Sequence, residues 1–173
     1  MDLRAFVRDI PDFPKPGIVF RDITPLMADA GALDEAVRRL ADVARPLRPD
    51  VVVAAEARGF LLGAALAREL EAGFVLARKP GKLPYETVRA EYMLEYGTDE
   101  LEVHSDAMAH GARVLVHDDL LATGGTAKAL CELAEQLGGV VVGCGFLIEL
   151  AFLRGRERLK GYDVHALLRD EAE

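Results

Sequence analysis

The chain has no tryptophan, only two cysteines in 173 residues, and an aromatic content of 6%. Each shortage removes a class of protein. Cys131 and Cys144 make neither a disulfide framework nor a close-spaced metal pair, so both read as small buried hydrophobes, and a reducing cytoplasm is the simplest setting. The longest apolar runs, such as "VVVGCGFLI", fall far short of the ~18 residues that suggest a membrane span. The opening "MDLRAFVRDI" carries an acid at its second position and no apolar core, which does not read as a signal peptide. Basic residues are the scarcer charges, 21 against 29 acids, and the net charge of −8 argues against a broad footprint for nucleic acid or anionic membrane. Any anionic ligand must be held by local cations or backbone amides.

What is present is ordinary globular composition, 51% apolar and 29% charged. The length predicts one domain over residues 1–173, and no low-complexity tract, fixed-period repeat or linker divides it. A short amphipathic helix is expected at Leu3 to Arg8. "PDFPKPGIVFRDITP" follows, and Pro11, Pro14, Pro16 and Pro25 make it an ordered loop or cap. Leu33, Val37, Leu40 and Ala44 recur at helical spacing and stop before Pro46.

"DVVVAAEARG" then reads as a short buried strand, "GFLLGAALAREL" as a packed helix and "GFVLAR" as another strand, a succession that builds a parallel sheet. The unit recurs as "ARVLVH", "TGGTAKALCELAEQLG" with Gly138 as the helix stop, and "GVVVGCGFLIEL", with a last strand at "DVHALL". Between the halves, residues 78–104 break the rhythm with Gly, Pro and charge and then alternate, which predicts a long mobile loop on a β-hairpin. The fold class is α/β, a mostly parallel twisted sheet flanked by helices.

In such sheets ligands bind beyond the carboxyl ends of the strands, which is where "VLVHDDLLATGGT" falls. Its strand delivers Asp118 and Asp119 to the rim. Gly124 and Gly125 then allow close backbone approach, Thr123 and Thr126 add hydroxyls, and the following helix start adds free N–H donors. This is a cradle for a phosphate monoester, without the length or the Lys of a Walker loop. Adjacent acids repel phosphate but suit a polyol or a cation, so a ribose 5-phosphate satisfies both halves. A helix-capping turn with two solvated acids is the alternative on these residues alone.

"VLVHDDLLATGGT" resembles the phosphoribosyl pyrophosphate (PRPP) signature of the type I phosphoribosyltransferases. "PDFPKPGIVFRDITPLM", "EARGFLLGAALA", "RKPGKLPYETV", "YMLEYGTDELEVH" and "GFLIELAFLRGRERLKGYDV" are similar, in order and over essentially the whole chain, to the adenine-using branch of that family. The resemblance implies transfer of the phosphoribosyl group from PRPP to adenine, forming AMP and pyrophosphate. It implies a homodimer and Mg²⁺ held mainly through PRPP, with no direct protein ligand.

By the same resemblance, Asp118, Asp119 and Ala122 to Thr126 (Ala122, Thr123, Gly124, Gly125, Thr126) hold the ribose phosphate. Glu56, Ala57 and Arg58 form a pyrophosphate loop that often contains a non-proline cis peptide, with Ala57 where many relatives carry Ser. Arg78, Lys79 and Lys82 add cations for pyrophosphate, some reaching a partner subunit, and "KLPYETV" forms a lid. Glu95 donates a proton to purine N7 as N9 becomes the nucleophile, with Arg58 also catalytic and Tyr96 beside Glu95 on the lid. Residues 1–30 include a base-binding hood in which Val19 and Arg21 meet adenine chiefly through backbone groups and Phe20 shapes the pocket.

His117 departs from the family's usual aliphatic residue and reads as a buried, hydrogen-bonded histidine or one facing a second layer. Two other functions compete. A PRPP-sensing regulator would need a basic surface or an added DNA-binding element, which this acidic chain does not offer. A 6-oxo purine as acceptor is opposed by the "VFRDITP" hood and the "LEYG" pair.

Overall fold

In the computed structural model, which describes residues 1–93 and 97–172, the chain opens with a 3₁₀ turn at Leu3–Phe6. The expected helix does not reach Arg8, because Arg8–Ile10 is taken up as strand β1, paired antiparallel with β2 (Phe20–Asp22). The proline-rich segment is therefore a loop that ends in a strand rather than a loop throughout. A cis peptide precedes Pro14.

Helix α1 (Thr24–Ala28) is short, and Asp29 ends it and caps α2 (Ala30–Ala44), its carboxylate accepting from the Ala32 amide at 2.8 Å. Helix α2 buries Ala32, Ala36, Leu40, Ala41 and Ala44, the stripe expected of an amphipathic helix. Pro46 enters only a terminal 3₁₀ turn, Arg45–Leu47, where its missing N–H costs nothing.

β3 (Val51–Ala55) leads into α3 (Arg58–Glu69) and β4 (Gly73–Ala77). A separate hairpin, β5 (Thr87–Met93) and β6 (Thr98–His104), interrupts the alternation, and Arg78 ties it to the end of β4 through a bridge to Glu102. The rhythm resumes with β7 (Arg113–Leu121), α4 (Gly125–Gln136), β8 (Val140–Leu150) and β9 (Val164–Asp170). Gly138 has φ +80° and stops α4, as its sequence position predicts.

The central sheet has the order β4-β3-β7-β8-β9, and every neighbouring pair is parallel. One face packs on α4 and the hairpin through Val53, Val116, Leu130 and Phe146, the other on α1 to α3 through Leu26, Leu40, Leu62 and Leu147. Burial on both faces is why β3 reads as an unbroken apolar run rather than an alternation. Removing a fully buried side chain such as Leu130 costs about 2–5 kcal/mol. The Cys131 and Cys144 thiols are buried where α4 meets β8, with Sγ atoms 3.7 Å apart and no disulfide.

β7 runs longer than "ARVLVH" suggested. Its parallel pairing with β8 continues through Leu121, opposite Glu149, so the acid pair lies within the strand. The backbone fixed by that pairing thus sets where those carboxylates point.

Candidate active site

Because the strands are parallel, β3 and β7 end on the same side of the sheet. β3 ends at Ala55, the Glu56–Ala57 peptide is cis, and α3 starts at Arg58. Next to it, β7 ends at Leu121 and α4 starts at Gly125. A cleft of about 270 Å³ opens between these ends, lined by Glu56, Ala57, Arg58, Asp118, Asp119, Ala122 and Thr126. Ala122 to Thr126 also wall a smaller recess of about 60 Å³. Segments more than sixty residues apart thus share one concavity because the sheet places their strands side by side.

Gly124 takes φ +83°, so the loop turns sharply into α4 with no side-chain cap and leaves the first amides of the helix free for a ligand. Gly59 has a different purpose. A β-carbon there would lie 2.8 Å from Asp118 Oδ1, so its absence lets the first turn of α3 close on the acid pair.

Burial is the first cause holding the Asp118 carboxyl well above the ordinary range, and the neighbouring charge of Asp119 adds to it. Asp119 is also raised by burial, against the pull of Arg58, whose Nε lies 2.9 Å from its Oδ2. The Asp118 Oδ1 accepts from the Asp119 amide at 2.9 Å. Without ligand, two closely spaced acids in this pocket favour a shared proton.

Glu56 is buried enough to raise its carboxyl, yet the Lys79 amide and the Arg78 guanidinium hold it below the ordinary range. The Lys79 amide donates to Oε1 at 2.5 Å and Arg78 Nη2 lies 3.3 Å from Oε2. Arg78 therefore joins the cleft through Glu56. The Lys79 ammonium is turned to the hairpin, against Asp99 and the Tyr92 hydroxyl, and Lys82 follows in the same loop with its amide on the Lys79 carbonyl. Tyr92 and Leu101 line the cleft as well. They sit on the alternating hairpin, but nothing in the sequence pattern sets them apart from other hairpin residues. Glu95 and Tyr96 lie outside the described residues.

Of the hood residues, Phe20 meets the cleft through Arg58, whose guanidinium carbon lies 4.9 Å from its ring centroid, with Phe13 edge-on at 5.2 Å. Val19 and Arg21 line a second, polar cleft of about 480 Å³ with Asp9 and Asp170. The Arg21 side chain is buried there, its Nε 2.6 Å from Asp170 Oδ2 and its Nη1 donating to the Val19 carbonyl at 3.2 Å, so the guanidinium is committed to that ion pair.

His117 is fully buried behind the acids on β7. Its Nδ1 lies 2.9 Å from the Gly145 carbonyl, which accepts, so Nδ1 carries the hydrogen; Nε2 has no partner among the described residues. Burial lowers its pKa to about 4. It is a neutral, structural histidine.

The family model for the phosphoribosyl transferase domain matches residues 26–167. An adenine phosphoribosyltransferase of Rubrobacter xylanophilus is 60% identical over 96% of this chain and 90% of its own length. The chain belongs to the adenine phosphoribosyltransferase family. The crystal structure of the Thermoanaerobacter pseudethanolicus adenine phosphoribosyltransferase superposes with a TM-score of 0.96 at 53% identity, covering 98% of each chain. The Saccharomyces cerevisiae adenine phosphoribosyltransferase, solved with D-2,5-dideoxy-2,5-imino-altritol 1,6-bisphosphate and adenine, is 38% identical with a TM-score of 0.89 over 94% of each chain. The five-stranded parallel sheet flanked by helices is thus the type I phosphoribosyltransferase fold.

Proposed function

We propose that this chain is a purine salvage enzyme that transfers the 5-phosphoribosyl group of PRPP to adenine, forming AMP and pyrophosphate. One observation carries the reading: the acid pair, the Ala122 to Thr126 turn and the Glu56 to Arg58 loop converge on a single cleft. The bond from C1 of the ribose to pyrophosphate breaks as the bond to adenine N9 forms. The turn grips the 5-phosphate, which does not react, and its binding energy fixes the sugar for in-line attack. Asp118 and Asp119 face the ribose hydroxyls and favour the positive charge that develops on the ring. The amides of the Glu56 to Arg58 loop, with Arg58, Arg78, Lys79 and Lys82, receive the pyrophosphate.

At the base, the Val19 and Arg21 backbone and the Phe20 ring form the hood, and a carbonyl there accepts from the 6-amino group. A 6-oxo purine would leave that acceptor unpaired, which makes discrimination strong. Glu95, with Tyr96 beside it, holds or moves the proton at purine N7. The lid over residues 82–88 excludes water.

Mg²⁺ is the cofactor that suits this donor set. Among the described residues no three His, Cys, Asp or Glu side chains form a metal cage, and of the three carboxylates that line the cleft Glu56 is taken by the Lys79 amide and Arg78 and Asp119 by Arg58. That fits an ion which keeps most of its ligands from substrate oxygens and water. When bound it would neutralise the leaving pyrophosphate.

The reading extends to a cytoplasmic homodimer, without nucleic-acid or membrane partners. Exposed Leu61 and Leu76 are apolar surface of the kind a subunit interface covers, and the buried free thiols suit a reducing compartment. No described helix is long and apolar enough to cross a membrane.

The deciding experiment is AMP formation by the purified protein from PRPP, Mg²⁺ and adenine, with guanine, hypoxanthine and xanthine in parallel. Turnover confined to adenine is expected. Turnover on a 6-oxo purine would overturn the base assignment, and PRPP binding without turnover would overturn the enzyme reading.

A further inference from the structure

A phosphate monoester carries about 1.5 to 2 negative charges at neutral pH. The turn proposed to hold it, Ala122 to Thr126, supplies amides and hydroxyls but no cation, and the nearby Asp118 and Asp119 share the phosphate's sign. Arg58 is engaged by Asp119. Lys128, one helical turn into α4, lies 3.5 Å from Glu132 and 3.5 Å from the Tyr162 hydroxyl. The site as read from its motif lacks a counter-charge.

The structure supplies one from another part of the chain. The 3₁₀ segment Gly155–Leu159 is pressed onto the turn. A β-carbon on Gly124 would collide with the Gly155 carbonyl oxygen, and one on Gly155 with the Ala122 carbonyl oxygen, so two glycines permit the approach. The approach brings Arg158 alongside: its Cβ lies 3.3 Å from the β-carbon position of Gly124 and its Nη1 3.9 Å from that of Gly125. Arg158 is exposed and forms no ion pair or hydrogen bond with any described residue, whereas Arg156, two positions earlier, is bound in a fork to Glu149.

We propose that Arg158 is a further phosphate-binding residue of this site, supplying the cation that the Thr-Gly-Gly-Thr turn lacks. The inference rests on the reading of that turn as the 5-phosphate site. A free guanidinium within reach of an anion-binding turn gains charge-assisted hydrogen bonds on binding and breaks none among the described residues. It binds and orients the sugar phosphate and takes no part in bond making.

The test is direct calorimetric binding of AMP, adenosine and adenine to the wild-type chain, Arg158→Gln and Arg158→Lys, with KM for PRPP and for adenine measured on each. Arg158→Gln is expected to weaken AMP binding by about tenfold or more while leaving adenosine and adenine unchanged. KM for PRPP should rise with KM for adenine constant, and Arg158→Lys should restore part of the loss. Equal losses for AMP and adenosine, or unchanged AMP binding, would reduce Arg158 to packing and overturn the inference while the turn keeps its role. A wild-type chain that binds AMP no better than adenosine would overturn the phosphate reading of the turn itself.

Discussion

Arg58 Nε lies 2.9 Å from Asp119 Oδ2, so the first residue of α3 is tied to the second acid of β7. The same guanidinium stacks over Phe20 at 4.9 Å, which joins the acid pair to the hood. A lysine has neither the planar face nor the fork for both contacts. Arg58→Lys should therefore lower kcat/KM for PRPP and for adenine together, by about 10- to 100-fold. Near-normal kinetics would remove Arg58 from the site.

The acid pair makes ligand-free stability depend on pH. Burial raises both carboxyls, so between the ordinary carboxylate range and the raised folded value the native chain binds more protons than the unfolded one. Stability therefore falls as pH rises through that window. Asp118→Asn, which needs no proton to stay neutral, should raise Tm near neutral pH by about 2–4 °C or more and at the same time weaken PRPP use. Thermal denaturation followed upward in pH from the ordinary carboxylate range reads the first effect. A lower Tm throughout would show that the charged pair stabilises the fold.

His117 gives the opposite sign. Its folded pKa of about 4 lies below the ordinary 6.5, so the unfolded chain binds the extra proton between those values. Its contribution is present above about pH 6.5 and is lost as pH falls toward about 4, reaching about 3 kcal/mol. The difference in unfolding free energy between wild type and His117→Val should follow that curve and level off below it. A flat difference would mean the buried ring titrates normally.

Arg21 is anchored away from the cleft by Asp170, at 2.6 Å, with Asp9 at 3.5 Å. Asp170→Ala leaves a buried guanidinium with only Asp9 at 3.5 Å and the Val19 carbonyl at 3.2 Å, a loss of about 3 kcal/mol of stability. The hood strand it positions would loosen. KM for adenine should rise in the folded variant with KM for PRPP little changed; a rise confined to PRPP would place the anchor elsewhere.

Local chemistry explains why much of this was legible. The apolar runs of β3, β4, β7 and β8, the stop at Gly138 and the acid pair before the Thr-Gly-Gly-Thr turn each depend on residues a few positions apart, and each reads directly from the order of amino acids. The helix expected at Leu3 to Arg8 shortened to a 3₁₀ turn because its last residue is claimed by pairing with a strand, β2, that lies beyond a proline-rich loop. No local propensity reports such a pairing.

By itself, then, the sequence determined the α/β alternation, the loops at the strand ends and the chemistry those loops carry. Only the tertiary structure decided that Arg58 meets Asp119, that Arg21 turns to Asp170 and that Arg158 comes to rest beside Gly125. Charge pairs between distant segments are chosen by the strand order of the sheet and by how closely glycine lets two backbones approach. Neither is a property of any short stretch of chain.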